Sequence, residues 1–186
     1  LDDSEIIRLY WNRDEEAIFA TAEKYAGYCT SIAKNICESS ADAEECVNDT
    51  YLAAWNSIPP QKPSVLSAFL GRLARNISLN KYKYNTAAKR GGGAVPAVLD
   101  ELLEIVSDQE DVEQEVDRRE LIDTINHFLS GLPAGKRQIF VRRYWYFESI
   151  SAISTRFGKS ENHVSVLLHR LRKSLREELL ERGFSL

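Results

Sequence analysis

Near one end of the sequence, Asn162, His163, Ser165, Val166, His169, Arg170, Arg172, Lys173 and Arg176 alternate with Val164, Leu167, Leu168, Leu171 and Leu175. At helical spacing Val164 and the leucines share one face, and the polar and basic residues take the rest of the surface. That division suits a helix laid in a DNA groove. Side chains near its N-terminus can reach base edges while Arg and Lys beside them hold phosphates. The alternative is a solvated basic face on an ordinary helical hairpin. A second set lies earlier in the chain. Arg72, Arg75, Lys81, Lys83, Lys89 and Arg90 are interleaved with Asn76, Asn80, Tyr82, Tyr84 and Asn85. Cations among aromatics and amides suit a single nucleic-acid strand, where each stacked base contributes roughly 1–3 kcal/mol. The alternative is a charged helix end with its tyrosines in a core.

No constellation points to catalysis, and no cofactor is expected. Glu15-Glu16 and Glu44-Glu45 are sequence neighbours, which do not face each other across a helical site. His127, His163 and His169 lack metal-ligand spacing and have no nucleophile partner. Cys29, Cys37 and Cys46 form an odd set without a CxxC, so buried thiols of a cytoplasmic protein are expected. No stretch approaches the ~18–20 apolar residues of a membrane span, and no secretory signal is visible, so no membrane insertion is expected. The chain starts at Leu1 and holds no Met, as expected where a natural start has been trimmed.

The elements that must position these residues read as all-helical, with no strand alternation. A first long helical region is expected from about Asp14 to Cys37. Ser39, Ser40 and Asp42 offer caps for a second helix, in which Val47, Tyr51, Trp55 and Ile58 form an apolar stripe and leave Glu45, Asn48 and Asp49 on another face. Pro59 and Pro60 stop it, and Pro63-Ser64 opens a third helix to about Lys89 that buries Leu66, Phe69, Leu70, Leu73 and Ile77. Gly91-Gly92-Gly93 breaks the pattern. The acidic stretch after it reads as a linker holding at most a short amphipathic helix (Leu99, Leu102, Leu103, Val106). A second helical cluster begins near Asp111, with Gly131 and Pro133 separating two of its helices. Ser149 caps a short helix to Phe157, Gly158 makes the turn, and Ser160 caps a last helix to about Arg182, the layout of a helix-turn-helix. The expected organisation is two small helical domains, 1–90 and 113–186, joined by a flexible linker at 91–112. A length of 186 residues accommodates two small domains.

The net charge of −4 is unevenly spread. Residues 1–61 carry 4 basic and 12 acidic residues, and residues 62–90 carry 7 basic and none acidic. Residues 91–132 carry 2 basic and 11 acidic residues, and residues 133–186 carry 11 and 5. Two blocks can face phosphates and two should avoid them, which suppresses DNA binding by the free protein.

Together these motifs resemble a known family. Asp42 through Trp55 (DAEECVNDTYLAAW) is similar to the polymerase-binding helix of extracytoplasmic-function sigma factors of the sigma-70 family. Ala68 through Asn76 (AFLGRLARN) is similar to the segment that follows it there. Leu132-Pro133 to Tyr144-Trp145, Phe157-Gly158-Lys159-Ser160 and His169 through Lys173 resemble the family's C-terminal domain. The resemblance spans nearly the whole chain. It implies a non-enzymatic protein that binds core RNA polymerase and reads promoter DNA, as duplex at −35 and melted at −10, under an anti-sigma factor and for a stress- or signal-dependent regulon. Glu45, Asn48, Asp49, Leu52 and Trp55 would meet the polymerase. Lys62, Arg72, Arg75, Asn76, Asn80, Lys81 and Lys83 would meet the −10 element, with the Pro59–Ser67 loop taking a flipped base. Ser160, Asn162, His163, Ser165, Val166, His169, Arg170 and Lys173 would enter the −35 major groove, while Arg142, Arg143 and Arg156 would hold phosphates. Two departures stand out. Ser165, followed by Val166, stands just after Val164, where members often carry a basic residue, and Phe69 stands where many have Trp. The competing expectation is a stand-alone helix-turn-helix regulator, which would leave the acidic helix and the basic helix after it unexplained.

Overall fold

A computed structural model describes residues 1–87, 98, 101 and 115–184, giving only the backbone at 87 and 115–119. The described residues form eight helices in two units, Leu1–Gly93 and Ala94–Leu186. Those of the first unit are α1 (Asp3–Trp11), α2 (Glu16–Ile36), α3 (Ser40–Ser57) and α4 (Leu66–Ala87). Those of the second are α5 (Glu115–Gly131), α6 (Ala134–Tyr144), α7 (Ile150–Phe157) and α8 (Glu161–Glu181). The all-helical, two-part architecture is therefore as the periodicity indicates. Among the described residues, no helix is long and apolar enough to cross a membrane.

In the first unit α2, α3 and α4 pack on one another, and α1 covers α2. Many of their contact residues are small: Ala17, Ala33, Ala43, Ala54 and Ala74 are buried. At Gly71 of α4 a Cβ would collide with the Tyr28 hydroxyl of α2, so a larger residue there would require the tyrosine to shift. Ala74 and Ser78 lie deeper on α4 than Leu73 and Ile77, which are only half-buried. Helix α1 goes beyond the sequence expectation, which began its first helix at Asp14. Its signal was present in a capping box: the Asp2 carboxylate accepts from the Glu5 amide, and the Glu5 side chain accepts from the Asp2 amide. Ile6 and Tyr10 then bury completely, and the Tyr10 hydroxyl lies 2.8 Å from Thr21 Oγ1. Cys29 and Cys46 are buried and Cys37 half-buried, and burial pushes the Cys29 thiol up to about 11.

In the second unit α8 packs against α5, α6 and α7 in turn. An aromatic run from Phe128 through Phe140 to Tyr144, with centroids 6.3 and 4.5 Å apart, joins α5 to α6. Caps fall where the sequence places them. Ser149 Oγ accepts from the Ala152 amide, Gly158 is left-handed at φ 60°, and Ser160 Oγ accepts from the His163 amide. Within the segment read as a linker, Val98 and Glu101 are helical, and Val98 is fully buried. Gly91–Gly93 and the four apolar residues of the expected short helix lie outside the described residues.

Candidate polymerase and nucleic-acid interfaces

On α3, Ala43, Cys46, Val47, Thr50, Tyr51 and Ala54 turn inward. The helical period then leaves Glu45, Asn48, Asp49 and Leu52 exposed on one stripe, with Leu52 57% accessible. The acids of this stripe repel phosphates, so it is not a face suited to DNA. Trp55 ends the stripe half-buried. The Arg13 guanidinium sits 5.2 Å from its ring, and the Tyr10 ring is 6.2 Å away. Arg13 Nη1 also donates to the Trp55 carbonyl at 2.7 Å. The α1–α2 turn thus supplies the cation that the last turn of α3 lacks.

On α4, Arg72, Asn76, Asn80 and Lys83 are exposed along one stripe, and Lys62 is exposed in the loop before the helix. Arg72 lies 5.5 Å from the Phe69 ring. Arg75 and Lys81 are half-buried, and burial lowers the Arg75 pKa. The two tyrosines separate: Tyr82 is buried core, whereas Tyr84 is 80% accessible and free to stack. Lys81 turns toward α3. Its Nζ lies 2.7 Å from Glu45 Oε2 and 3.6 Å from Asp42 Oδ1, and Asn85 donates to Asp42 at 3.2 Å. The Glu45 hydrogen bond raises the Lys81 pKa, while the Ser39 hydroxyl and then the charge of Lys81 hold Asp42 below its ordinary value.

On α8, Asn162, His163, Val166, His169, Arg170 and Lys173 are exposed, as a groove-reading face requires. Ser165 is half-buried and donates back to the Glu161 carbonyl at 2.9 Å, and the Ser160 hydroxyl is spent on its cap. The inner face holds Val164, Leu168, Leu171 and Leu175. Arg172, read from the sequence as outward-facing, corrects that reading: it is buried, donating to the Tyr144 hydroxyl at 2.6 Å and Glu101 Oε2 at 3.2 Å. One turn beyond Leu168, it falls on the core stripe, and a tyrosine and a carboxylate make that burial tolerable.

Glu101 carries no local signal that marks it out among the acids around it. It takes Arg143 Nη2 at 2.6 Å, the Tyr144 hydroxyl at 2.8 Å and Arg172. Burial works to raise its pKa, but the hydrogen bonds from Arg143 and Tyr144 and both guanidinium charges outweigh it and leave the carboxyl below its usual range. Arg143 is buried and also donates to the Glu148 carbonyl, so the structure does not bring it to the exposed α8 face. Arg142 is half-buried, 2.6 Å from Glu148 Oε1, which Arg156 approaches at 3.5 Å.

Two family models match the chain: Sigma-70 region 2 over residues 21–87, and Sigma-70, region 4 over residues 122–175, more than half of the sequence between them. The chain belongs to the sigma-70 family of RNA polymerase sigma factors. Region 2 followed by region 4 is the arrangement of the extracytoplasmic-function group, and a sigma factor is not an enzyme. Core RNA polymerase and promoter DNA are the partners the family implies. No curated protein matches this sigma factor. Among solved structures, that of CnrH in complex with the cytosolic domain of CnrY is similar, with 17% identity, 98% of this chain and 99% of that chain covered, and a TM-score of 0.44. Region 2 spans α3 and α4 with their two exposed stripes, and region 4 spans the helix-turn-helix.

Proposed function

We propose that this sigma factor docks on core polymerase through Glu45, Asn48, Asp49 and Leu52 of α3. It captures the melted −10 strand with Lys62, Arg72, Asn76, Asn80, Lys83 and Tyr84, and reads the −35 duplex with Asn162, His163, Val166, His169, Arg170 and Lys173. The observation that carries this reading is the split of the first unit into two exposed stripes of unlike chemistry, acid and amide on α3 against basic and amide on α4. A stand-alone regulator needs no such split. Nothing covalent happens in this mechanism. Unstacking bases costs a few kcal/mol each, offset by stacking and pocket contacts on the captured strand. Trp55, Arg75 and Lys81 support these faces from half-buried positions, and Ser160, Arg142 and Arg143 hold the helix-turn-helix in shape.

Residues 1–90 and 113–186 serve as the two readers and 91–112 as their connection, with Glu101 held by the second reader. The protein works in the cytoplasm on a signal-dependent set of promoters, under a separate anti-sigma factor that competes for the exposed apolar and acidic surface around Leu52. Run-off transcription with purified core polymerase on a promoter pool tests the reading. Transcripts from a subset of templates only in the protein's presence are expected. Tight duplex binding by the protein alone, with neither transcripts nor association with core, would replace it with the stand-alone regulator.

A further inference from the structure

We propose that Lys81, Glu45 and Asp42 form an interlock that withholds one −10 cation until polymerase engages α3. The proposal rests on the assignment of α3 to polymerase and α4 to DNA given above. The two faces are not independent, because one ion pair draws a residue from each. Lys81 stands beside Asn80 and Lys83 on the basic helix, yet its ammonium is held by Glu45 at 2.7 Å and Asp42 at 3.6 Å. Glu45 in turn heads the stripe that continues through Asn48, Asp49 and Leu52. A phosphate approaching Lys81 must therefore compete with two carboxylates and is repelled by them. A polymerase surface that accepts this stripe has to supply donors to Glu45, and a Glu45 so engaged releases the lysine.

Exposure decides that this exchange is feasible. The Lys81 side chain is 26% accessible and that of Glu45 57%, so both ends keep water and can trade partners. An ammonium with three rotatable donors on a flexible stem can swing from carboxylate to phosphate, which a planar guanidinium locked in a fork does less readily. Docking and strand capture are thereby coupled, and the coupling is reciprocal: bound single strand should also favour core binding.

The test is a mutant cycle in the full chain, read as the anisotropy of a labelled random-sequence single-stranded DNA at low salt without polymerase. Glu45→Gln should tighten binding three- to five-fold, and Asp42→Asn by a smaller factor. In a Lys81→Gln background Glu45→Gln should give no gain. Unchanged affinity in Glu45→Gln and Asp42→Asn, or an equal gain with and without Lys81, would overturn the interlock, the latter reducing it to general charge removal. Competition for core polymerase by Asn48→Ala separates the two ideas, since that side chain lies outside the interlock. Undiminished competition there removes the docking assignment, whereas the DNA cycle reports on the ion pair alone.

Discussion

Lys81 in the first unit and Arg172 in the second are both cations on helices that we propose face the promoter, and the protein treats them in opposite ways. Lys81 is shared by two carboxylates at a wet surface, where an ion pair contributes about 0–1 kcal/mol and exchanges freely. Arg172 and Arg143 are sunk to 10% and 6% side-chain exposure around one carboxylate, Glu101, with the Tyr144 hydroxyl closing the network. A basic block in a sequence is thus not a basic surface. One part of it is poised for exchange with a partner, and another is fixed structure.

The largest expected effect breaks this comparison most directly. Glu101→Ala leaves two buried guanidiniums without their carboxylate, and removing one partner of such a network costs about 3–5 kcal/mol. Hydrogen exchange should show lost protection in α6, α7 and α8 with α3 and α4 unchanged. Equal protection everywhere would mean that Glu101 is as replaceable as Glu45.

Next come the exposed cations of α8. Arg170→Ala should weaken binding of −35 duplex by ten- to a hundred-fold, as loss of a base-edge or phosphate contact worth about 1–3 kcal/mol does. Lys173→Ala should do less, because Glu177 already lies 4.0 Å from it. Unchanged duplex affinity in both would remove the groove-reading assignment of α8.

On α3, the Asn48→Ala and Asp49→Ala pair should reduce core polymerase binding by about ten-fold, near 1.4 kcal/mol, while the urea midpoint stays within the small range of surface changes. Competition for core against the parent protein measures it. A drop in stability instead would show that the stripe is structural, like the Glu101 network.

How much of this was legible depends on the range of the interaction. Caps, turns and apolar periods are local, so Ser149, Gly158 and Ser160 marked the helix-turn-helix, and Pro59 and Gly131 marked ends. The exposed residues of α3 and α8 followed from the same period. What could not be read were partners far apart in sequence. Glu101 meets Arg143 and Arg172 across 42 and 71 positions, and nothing in an acidic segment says which of its acids will turn inward. Arg172 reads as outward-facing from the sequence, since an arginine is seldom buried unless paired and its partner Glu101 lies 71 positions away. Helix α1 is a different case: its capping box is a local signal.

Acid sensitivity sharpens the same contrast with a smaller effect than deletion. Because the folded-state pKa of Glu101 is lowered, its contribution is fully present above the ordinary carboxylate range and is lost as pH falls through the folded value. The urea midpoint of the second unit should therefore decline in the parent as pH falls below the ordinary carboxylate range, and Glu101→Gln should flatten that part of the profile. A profile that Glu101→Gln leaves unaltered would place the acid-sensitive group elsewhere.

The smallest effect concerns Ser160, which the family pattern places at the DNA and the structure places on the helix cap. Ser160→Ala should cost about 1 kcal/mol of stability through the lost cap. Ser160→Asp keeps a capping carboxylate at the N-terminus of α8, where the helix dipole favours it, yet sets a negative charge where phosphates approach. If the serine only caps, alanine lowers the melting temperature with little change in duplex affinity beyond that expected from fraying. Aspartate then restores stability and weakens DNA binding through charge alone, an effect that added salt should shrink. If the hydroxyl also contacts DNA, alanine lowers affinity at temperatures where α8 is fully folded, and Ser160 moves from the fixed class to the exchangeable one that Lys81 represents.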